Sequence, residues 1–347
     1  MKAAVFSGPR LPLAIESVAD PVAGPRDLVL RVKACGICGS DLHLADIDGT
    51  RGGMQPLPPG AVMGHEFAGE VVEAGRDVRD AWELGARVVA LPAIGCGTCV
   101  ACLSGTGGRC PAGAPLGLGA LPGAYAEFVR VSAHETLRLP ENVGYRAGAT
   151  VEPLAVGLHA VGAARIARGE SVLVMGAGPI GLAVALWCRF FGARQVIVSD
   201  LVAGRLERAA ELGATATIDA SRENVVERAK TIAGERPQVV IDCVGLPGSQ
   251  QLAMDYAPAN GRIVVAGVCM EEDRIVPVKA ITKELQVNYV FGYRRQDFAF
   301  TLDMLGAGRI DARAMISDIV GFDEFPAAFE ALKHSKTAVK VLLEPGA

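Results

Sequence analysis

The chain has 347 residues, half of them hydrophobic, 21% charged and 5% aromatic, and its formal net charge is −4. This length is typical of two domains, and the balanced charge, without a run of Lys and Arg, argues against a nucleic-acid or membrane partner. The opening segment, MKAAVFSGPR, has no apolar core of signal-peptide length. We therefore expect a cytoplasmic protein, in which clustered cysteines are more typical of metal sites or reactive thiols than of disulfides.

The first part of the chain predicts a β-rich domain. Short runs such as DLVLRVKACG (27–36) and FAGEVVEAG (67–75) are separated by Gly and Pro turns. Several of these runs alternate apolar and polar residues, as half-buried strands do. We expect an irregular β-barrel up to about residue 150.

Three motifs in this part supply metal-ligand residue types. CGICGSDLHLAD contains Cys38, VMGHEFAGE contains His65 and Glu66, and TVEPLAVGLHA contains Glu152. Alone, a buried cysteine is usually inert packing, which is our interpretation of Cys35, and a glutamate just before a proline also suits a helix start. Together, one thiolate, one imidazole and two carboxylates are enough for an open tetrahedral zinc site.

Four further cysteines lie close together in GCGTCVACLSGTGGRC (95–110). Cys96, Cys99, Cys102 and Cys110 are separated by two, two and seven residues. Four thiolates close a tetrahedral site and leave no position for water, so a structural zinc ion is the favoured interpretation. The glycine-rich turns between them offer little core to hold the loop otherwise. Free thiols, a disulfide and an iron–sulfur cluster are the alternatives.

The second part of the chain predicts a different architecture. Uniformly apolar runs such as SVLVMG (171–176), QVIVSD (195–200) and GRIVVAGV (261–268) alternate with segments of helix length. Strands that are apolar on both faces indicate a parallel sheet covered by helices on both sides.

The first of these strands leads into a dinucleotide-binding fingerprint. Gly176, Gly178 and Gly181 fit G-x-G-x-x-G between a strand and a helix, and Asp200 ends the next strand 19 residues after Gly181. The glycines permit a tight turn, close approach of a pyrophosphate and close helix packing. The acid favours NAD, because a carboxylate accepts from ribose hydroxyls and repels a 2′-phosphate. The alternative is that Asp200 caps the following helix.

These motifs, in this order and over the whole chain, resemble the zinc-dependent medium-chain alcohol dehydrogenases. The EPLAV motif is most similar to the branch of polyol, threonine and butanediol dehydrogenases. The resemblance implies an α/β plus β fold. It has a GroES-like β-rich catalytic domain, formed by residues 1–153 and 292–347, and a Rossmann domain with a doubly wound parallel sheet at 154–291.

The resemblance also implies roles for individual residues. Cys38 and His65 match the catalytic zinc ligands, while Glu66 and Glu152 match two acids, either of which is the resting ligand. Asp41 matches the acid that orients the imidazole. The residues that match the proton relay are Ser40 and His43. Those that match the cofactor site are Gly176, Gly178, Pro179, Ile180, Gly181, Asp200, Arg205 at the adenosine ribose, Val244, Val268 and Lys340 near the pyrophosphate.

The implied reaction is hydride transfer between a secondary alcohol or polyol and NAD, giving the ketone, with two zinc ions per chain. The implied assembly is a homodimer or homotetramer, for which LQVNYVFGY (285–293) is a candidate for sheet extension. A dehydrogenase of a 3-hydroxy amino acid such as threonine is the alternative substrate class. Zinc-free quinone or enone reductases share the fold but do not require both cysteine motifs. A nucleotide-binding structural protein on an inactive scaffold is the alternative from another class.

Overall fold

Two units divide the chain, which a computed structural model describes over residues 1–50, 52–53, 55–335 and 337–346. The first unit comprises Met1–Glu152, Arg294–Arg309 and Ile316–Ala347. The second unit comprises Pro153–Tyr293 and Ile310–Met315. The second unit is therefore inserted into the sequence of the first.

The N-terminal part of the first unit consists of short strands and short helices. Its strands are β1 (Lys2–Val5), β2 (Ala14–Ser17), β3 (Asp27–Gly36), β4 (Glu66–Ala74), β5 (Arg87–Ala90), β6 (Ala93–Ile94), β7 (Ala114–Pro115), β8 (Phe128–Ser132) and β9 (Thr136–Arg138). Its helices are α1 (Gly39–Asp46), α2 (Val100–Leu103) and α3 (Tyr145–Ala149), with 3₁₀ turns at Gly107–Arg109 and Ala133–Glu135. The pairs β1–β2 and β6–β7 form small antiparallel sheets.

The second unit is built on a six-stranded sheet in which every pairing is parallel. Its strands are β10 (Ser171–Met175), β11 (Gln195–Asp200), β12 (Ala216–Asp219), β13 (Val239–Asp242), β14 (Arg262–Val265) and β15 (Gln286–Tyr289), in the order β12-β11-β10-β13-β14-β15. Its helices are α4 (Val151–Ala164, which starts two residues before the unit), α5 (Pro179–Phe190), α6 (Ala203–Glu211), α7 (Val225–Ala233), α8 (Ser249–Tyr256) and α9 (Pro277–Thr282). This strand order is that of the Rossmann fold, so the predicted doubly wound sheet is confirmed.

The C-terminal part of the chain returns to the first unit. It contributes α10 (Arg295–Gly306), β16 (Ile316–Val320), α11 (Phe325–His334) and β17 (Lys340–Leu343). β16 and β17 extend a seven-stranded sheet with the order β16-β17-β3-β4-β5-β9, in which β8 also pairs with β3. The predicted β-rich domain from both ends of the chain therefore has a single main sheet.

One segment differs from the predicted domain boundaries. Residues Ile310–Met315, expected in the catalytic domain, group with the second unit. The guanidinium of Arg208 on α6 donates to the carbonyl of Ala314 at 2.9 Å and holds the segment there. Nothing in the sequence pattern marks this long-range contact.

The register of the main sheet positions a cluster of polar residues. Gly36 at the end of β3 lies opposite Glu66 on β4 and opposite Leu342 on β17. A Cβ atom added to Gly36 would lie 2.2 Å from Glu66 Oε2 and 3.2 Å from Lys340 Cδ. Only glycine fits here, because the two charged side chains meet over this backbone. In the described part of the chain, no helix combines the length and apolarity required to cross a membrane.

Candidate active site

The first unit brings together three of the four predicted ligands of the catalytic metal. Donor atoms of Cys38, His65 and Glu66 all lie within 4.8 Å of one another. Cys38 follows β3 and precedes α1, while His65 and Glu66 lie at the start of the neighbouring strand β4. The antiparallel pairing of these two strands therefore assembles the group. His65 and Glu66 are both buried.

Asp41, on the first turn of α1, organises this group. Its Oδ2 atom accepts hydrogen bonds from the Cys38 amide at 3.0 Å and from the Tyr125 hydroxyl at 2.5 Å. Its Oδ1 atom lies 3.3 Å from Nδ1 of His65. The imidazole therefore presents Nδ1 to the carboxylate, which leaves Nε2 as the nitrogen available to a metal.

The electrostatic field around the group of Cys38, His65 and Glu66 favours a cation. Burial by itself lowers the pKa of His65, but Asp41 and Cys38 outweigh it and hold that pKa well above its usual range. Burial and then the charge of Asp41 likewise raise the pKa of the Cys35 thiol and of the Tyr125 hydroxyl. The half-buried Cys38 thiol, together with the buried imidazole and carboxylate, is a donor set that zinc accepts.

Lys340 requires a correction, because it does not lie where a phosphate could reach it. Its ammonium, which is fully buried, donates to Glu66 Oε1 at 2.7 Å, to Glu66 Oε2 at 2.6 Å and to the carbonyl of Ile37 at 2.8 Å. Burial lowers the pKa of Lys340, but Glu66, Cys38 and Glu152 raise it above its usual value. All three N–H donors are used within the first unit, so the predicted pyrophosphate contact is wrong.

Glu152, the fourth predicted ligand, lies outside the group of three donors within 4.8 Å. It occupies the first turn of α4, where a carboxylate also interacts favourably with the helix dipole. Its charge nevertheless acts on Lys340, so its carboxylate contributes to the same negative field.

The two predicted relay residues lie on α1. Ser40 is half-buried and His43 is exposed. Residues three apart on a helix lie on the same face, so these two side chains share one face of α1, which begins next to Cys38.

The four clustered cysteines converge in a separate lobe of the first unit. The Sγ atom of Cys99 lies 3.6 Å from that of Cys102 and 3.7 Å from that of Cys110, and Cys96 and Cys102 are 4.0 Å apart. No disulfide links them, and a disulfide needs about 2.05 Å. Four sulfurs at about 2.3 Å from zinc are about 3.8 Å apart in a tetrahedron, so the observed spacing fits a zinc ion.

Hydrogen bonds to the sulfur of Cys96 favour metal binding in this lobe. The Thr98 amide and hydroxyl and the Cys99 amide donate to Sγ of Cys96 at 3.5, 3.5 and 3.3 Å. These bonds, led by that from the Thr98 amide, lower the pKa of Cys96 to about 5. A thiolate at neutral pH is the form that binds zinc.

The second unit carries the glycine turn between β10 and α5. Gly176 adopts a φ of +92°, and a Cβ atom added to Gly181 would lie 1.8 Å from the carbonyl oxygen of Gly176. Gly178 is the N-cap of α5 and an added Cβ would meet open space, while Pro179 opens the helix and the half-buried Ile180 follows it. The turn therefore leaves a cradle at the helix N-terminus that fits a pyrophosphate.

Asp200 lies beside this turn at the carboxyl end of β11. Its Oδ2 atom accepts from the Ala177 amide at 2.7 Å and its Oδ1 atom from the Val202 amide at 2.8 Å. The carboxylate is thereby fixed next to the cradle. The predicted partner Arg205 is half-buried on the first turn of α6, the helix that follows.

A buried acid that the sequence analysis did not identify stabilises another loop at the carboxyl end of this parallel sheet. Asp242, which ends β13, accepts from the Val244 amide at 2.9 Å and from the Ser249 hydroxyl at 2.7 Å. It thereby fixes the loop that exposes Val244, while Val268 is exposed in the loop after β14. An acid at the end of an apolar strand is the same signal that identified Asp200, and it was present in the sequence.

Comparisons with known proteins agree with this architecture. Residues 24–141 match the family described as alcohol dehydrogenase GroES-like domain, and residues 179–307 match the family described as zinc-binding dehydrogenase. Sorbitol dehydrogenase of Bacillus subtilis (strain 168) is 30% identical over 99% of this chain and 97% of its own. L-threonine 3-dehydrogenase of Rhizobium johnstonii is 32% identical over 99% of this chain and 98% of its own.

A solved structure is similar over the whole chain as well. A zinc-binding dehydrogenase from Sinorhizobium meliloti 1021, bound to NADP, has a TM-score of 0.87 and 34% identity, with 99% of each chain covered. Fold and site together define a zinc-binding dehydrogenase. The chain belongs to the zinc-dependent medium-chain alcohol dehydrogenase family, in the branch of the polyol and threonine dehydrogenases. The predicted family, fold class and enzyme class are confirmed: the protein is an NAD(P)-dependent oxidoreductase of small-molecule alcohols.

Proposed function

We propose that this enzyme oxidises polar secondary alcohols or polyols to ketones with NAD as hydride acceptor, and that each chain binds two zinc ions. The observation that carries the proposal is the group of half-buried Cys38 with buried His65 and Glu66, whose donor atoms lie within 4.8 Å of one another. An open mixed donor set of this kind is typical of catalytic zinc, whereas the four-cysteine lobe is a closed structural set.

In this proposal, different residues of the first unit have different roles at the reacting alcohol. Cys38, His65 and a carboxylate hold a zinc ion, which as a Lewis acid lowers the pKa of the substrate hydroxyl. Asp41 keeps Nδ1 of His65 protonated and the ring in place. Lys340 offsets the charge of Glu66, so that the donor set is less negative than its residue types alone indicate.

The proton of the alcohol leaves through α1. Ser40 is half-buried near the donor group, and its hydroxyl can accept the proton while donating its own. His43 is exposed on the same face, so its imidazole can pass the proton on to solvent. Replacement of His43 by Ala is therefore expected to reduce kcat.

The preference for NAD rests on Asp200. Its carboxylate is fixed beside the glycine turn by the Ala177 and Val202 amides. In that position it suits ribose hydroxyls and repels a 2′-phosphate. The similar structure from Sinorhizobium meliloti contains NADP. The kcat/KM values of this enzyme with NAD and with NADP are therefore the quantities to compare.

A substrate panel tests the proposed reaction. The enzyme is assayed at 340 nm with NAD and sorbitol, other polyols, L-threonine, 2,3-butanediol and 2-propanol. We expect the highest kcat/KM with a polyol, because an oxygen ligand such as Glu152 lets zinc expand its coordination to a second hydroxyl. L-threonine as the best substrate would instead assign the chain to the threonine dehydrogenases, which are equally similar in sequence.

We also propose that β15 pairs with the same strand of a second copy. β15 is the edge of the six-stranded sheet, and no residue of the adjacent helix α9 is buried. Tyr289 and Phe291 are 62% and 74% exposed. The amides of Gln286 and Val290 donate inward to Gly261 and Val265. Because successive amides of a strand point to opposite sides, those of Val287 and Tyr289 face the open edge.

Sedimentation tests this interface. Replacement of Val287 by Pro removes one outward N–H and leaves the inner ladder intact, since proline is tolerated at sheet edges. We expect a dimer or tetramer for the wild type and a smaller species for the variant, with unchanged thermal stability at low concentration. A monomeric wild type would contradict the proposal.

A further inference from the structure

Tyr125 is a fully buried residue whose hydroxyl reaches the metal group. It donates to Asp41 Oδ2 at 2.5 Å and lies 3.3 Å from the carbonyl oxygen of Gly36. Asp41 in turn faces His65 Nδ1 at 3.3 Å. The hydroxyl is therefore linked to a predicted zinc ligand through one residue, Asp41.

The ring of Tyr125 also fixes the backbone that carries both ligands. A Cβ atom added to Gly64, the residue before His65, would lie 2.5 Å from Tyr125 Cδ1. Gly64 has a φ of +96°, so both its conformation and the ring require glycine there. On the other side, Gly36 precedes Cys38 by two residues. One side chain therefore contacts the segments before each ligand.

Two aromatic residues of the C-terminal helix α11 hold the ring in place. The ring centroids of Phe325 and Phe329 lie 4.8 and 6.4 Å from that of Tyr125, both in edge-to-face arrangements. Phe325 and Phe329 are themselves fully buried. Such contacts stabilise ring orientation, so the hydroxyl cannot turn away from Asp41 without repacking this cluster.

The two carboxylate oxygens of Asp41 have different partners. Oδ2 accepts from Tyr125 and from the Cys38 amide. Oδ1 and His65 Nδ1 are buried and face each other at 3.3 Å, and among the described residues neither atom has a hydrogen-bond partner. Without the hydroxyl, Oδ2 keeps only the bond from the Cys38 amide and loses a strong charge-assisted bond, so the carboxylate holds Oδ1 less firmly against the imidazole.

We propose that Tyr125 is a positioning residue for the catalytic metal, acting through Asp41 on the orientation of His65. The inference rests on the proposed catalytic zinc site. It predicts that the hydroxyl contributes to zinc affinity at that site only when Asp41 is present. Removal of a group that orients a metal ligand weakens metal binding by roughly 10-fold to 100-fold.

A double-mutant cycle on the holoenzyme tests this. The variants are Tyr125→Phe, which keeps the ring, Asp41→Ala, and the two combined. Zinc dissociation constants are measured by competition with a chelator, and the zinc of the four-cysteine lobe serves as the internal sign of correct folding. We expect Tyr125→Phe to weaken the catalytic zinc about tenfold, Asp41→Ala to weaken it further, and the double variant to match Asp41→Ala.

The matched control is Tyr145→Phe, which removes a hydroxyl bonded to Glu70 at 2.6 Å in the same unit, and zinc affinity should not change. Additive effects of Tyr125→Phe and Asp41→Ala would overturn the inference, because they would show that Tyr125 does not act through Asp41. Unchanged affinity in Tyr125→Phe would overturn it as well.

The same measurements separate this inference from the proposed function. A wild-type protein that binds only the lobe zinc would overturn the proposed function and with it this inference. A wild type with two zinc ions and an unaffected Tyr125→Phe variant overturns the inference alone.

Should Tyr125→Phe fail to fold, Phe329→Leu loosens the packing of the Tyr125 ring while the hydroxyl remains. Weaker catalytic zinc is again expected, and unchanged affinity would count against the role of Tyr125.

Discussion

Lys340 and Glu66 form a fully buried ion pair in which the ammonium lies 2.7 and 2.6 Å from the two carboxylate oxygens. A carbonyl of Ile37 takes the third N–H donor. This pair joins β17, near the C-terminus, to β4 in the first half of the chain and includes one member of the predicted metal group, Glu66.

Replacement of Lys340 by Met should destabilise the first unit strongly. It leaves the Glu66 carboxylate buried without a partner, which costs about 3–5 kcal/mol in free energy of unfolding. Denaturation midpoints measure the effect, and the double variant with Glu66→Gln should recover much of the loss. The control is Lys333→Met, whose partners Asp46 and Glu330 are partly exposed and for which about 1 kcal/mol or less is expected. Equal effects of both variants would contradict this account.

Replacement of Cys102 by Ala should remove one zinc ion per chain and lower the melting temperature before it affects the chemical step. Structural zinc binding is coupled to folding, and the sulfur of Cys102 lies within 4.0 Å of those of Cys96 and Cys99. Elemental analysis and thermal melting are the measurements. Cys188→Ala, at a buried thiol outside the lobe, should keep full zinc. A Cys102→Ala protein with full zinc content and unchanged melting would rule out the structural site.

Replacement of Glu152 by Gln distinguishes a metal role from a helix-start role. If the carboxylate supports the catalytic zinc, occupancy falls or kcat drops by at least about tenfold, which corresponds to roughly 1.4 kcal/mol. If it only favours the start of α4, zinc content and kcat stay near normal. Glu227→Gln, at an acid that also lies in the first turn of its helix, α7, is the control. Normal zinc and kcat in Glu152→Gln would leave Glu66 as the only carboxylate for the site.

Replacement of Asp200 by Asn should narrow the preference for NAD over NADP. The amide removes the charge that repels a 2′-phosphate, and we expect the ratio of kcat/KM values to change about tenfold, or roughly 1.4 kcal/mol. Asp219, which ends the neighbouring strand in register with Asp200, provides the matched control Asp219→Asn. If the wild type uses NADP as well as NAD, Asp200 does not set the preference, and Arg205 becomes the better candidate for a phosphate contact.

The sequence predicts best what is encoded locally. The four lobe cysteines lie within one short segment, and the glycine turn and Asp200 belong to one strand–helix–strand unit, so spacing alone identifies them. The apolar runs of β10, β11 and β14 likewise predict a parallel sheet covered on both faces, because such a strand carries apolar residues on both of its faces. Both the Rossmann order and the β-rich domain follow these patterns.

Contacts between distant segments are what the sequence does not show. Lys340 lies 303 residues from Ile37 and 274 from Glu66, and no periodicity reveals that β17 pairs beside β3. Its assignment to the pyrophosphate was therefore wrong. Tyr125 lies 84 residues from Asp41, and a tyrosine in an alternating strand-like run is indistinguishable from ordinary core. The attachment of residues 310–315 to α6 is likewise a tertiary contact without a local signal.

Metal dependence of NAD reduction tests the central claim most directly. The purified enzyme is assayed at 340 nm with NAD and its best polyol or secondary alcohol, before chelation, after mild chelation that removes one zinc ion per chain, and after zinc is restored. We predict two zinc ions at the start, loss of activity with the first ion removed while the fold and the lobe zinc remain, and recovery on zinc addition. Undiminished activity after loss of the first zinc ion would contradict the proposal that Cys38, His65 and a carboxylate hold a catalytic metal.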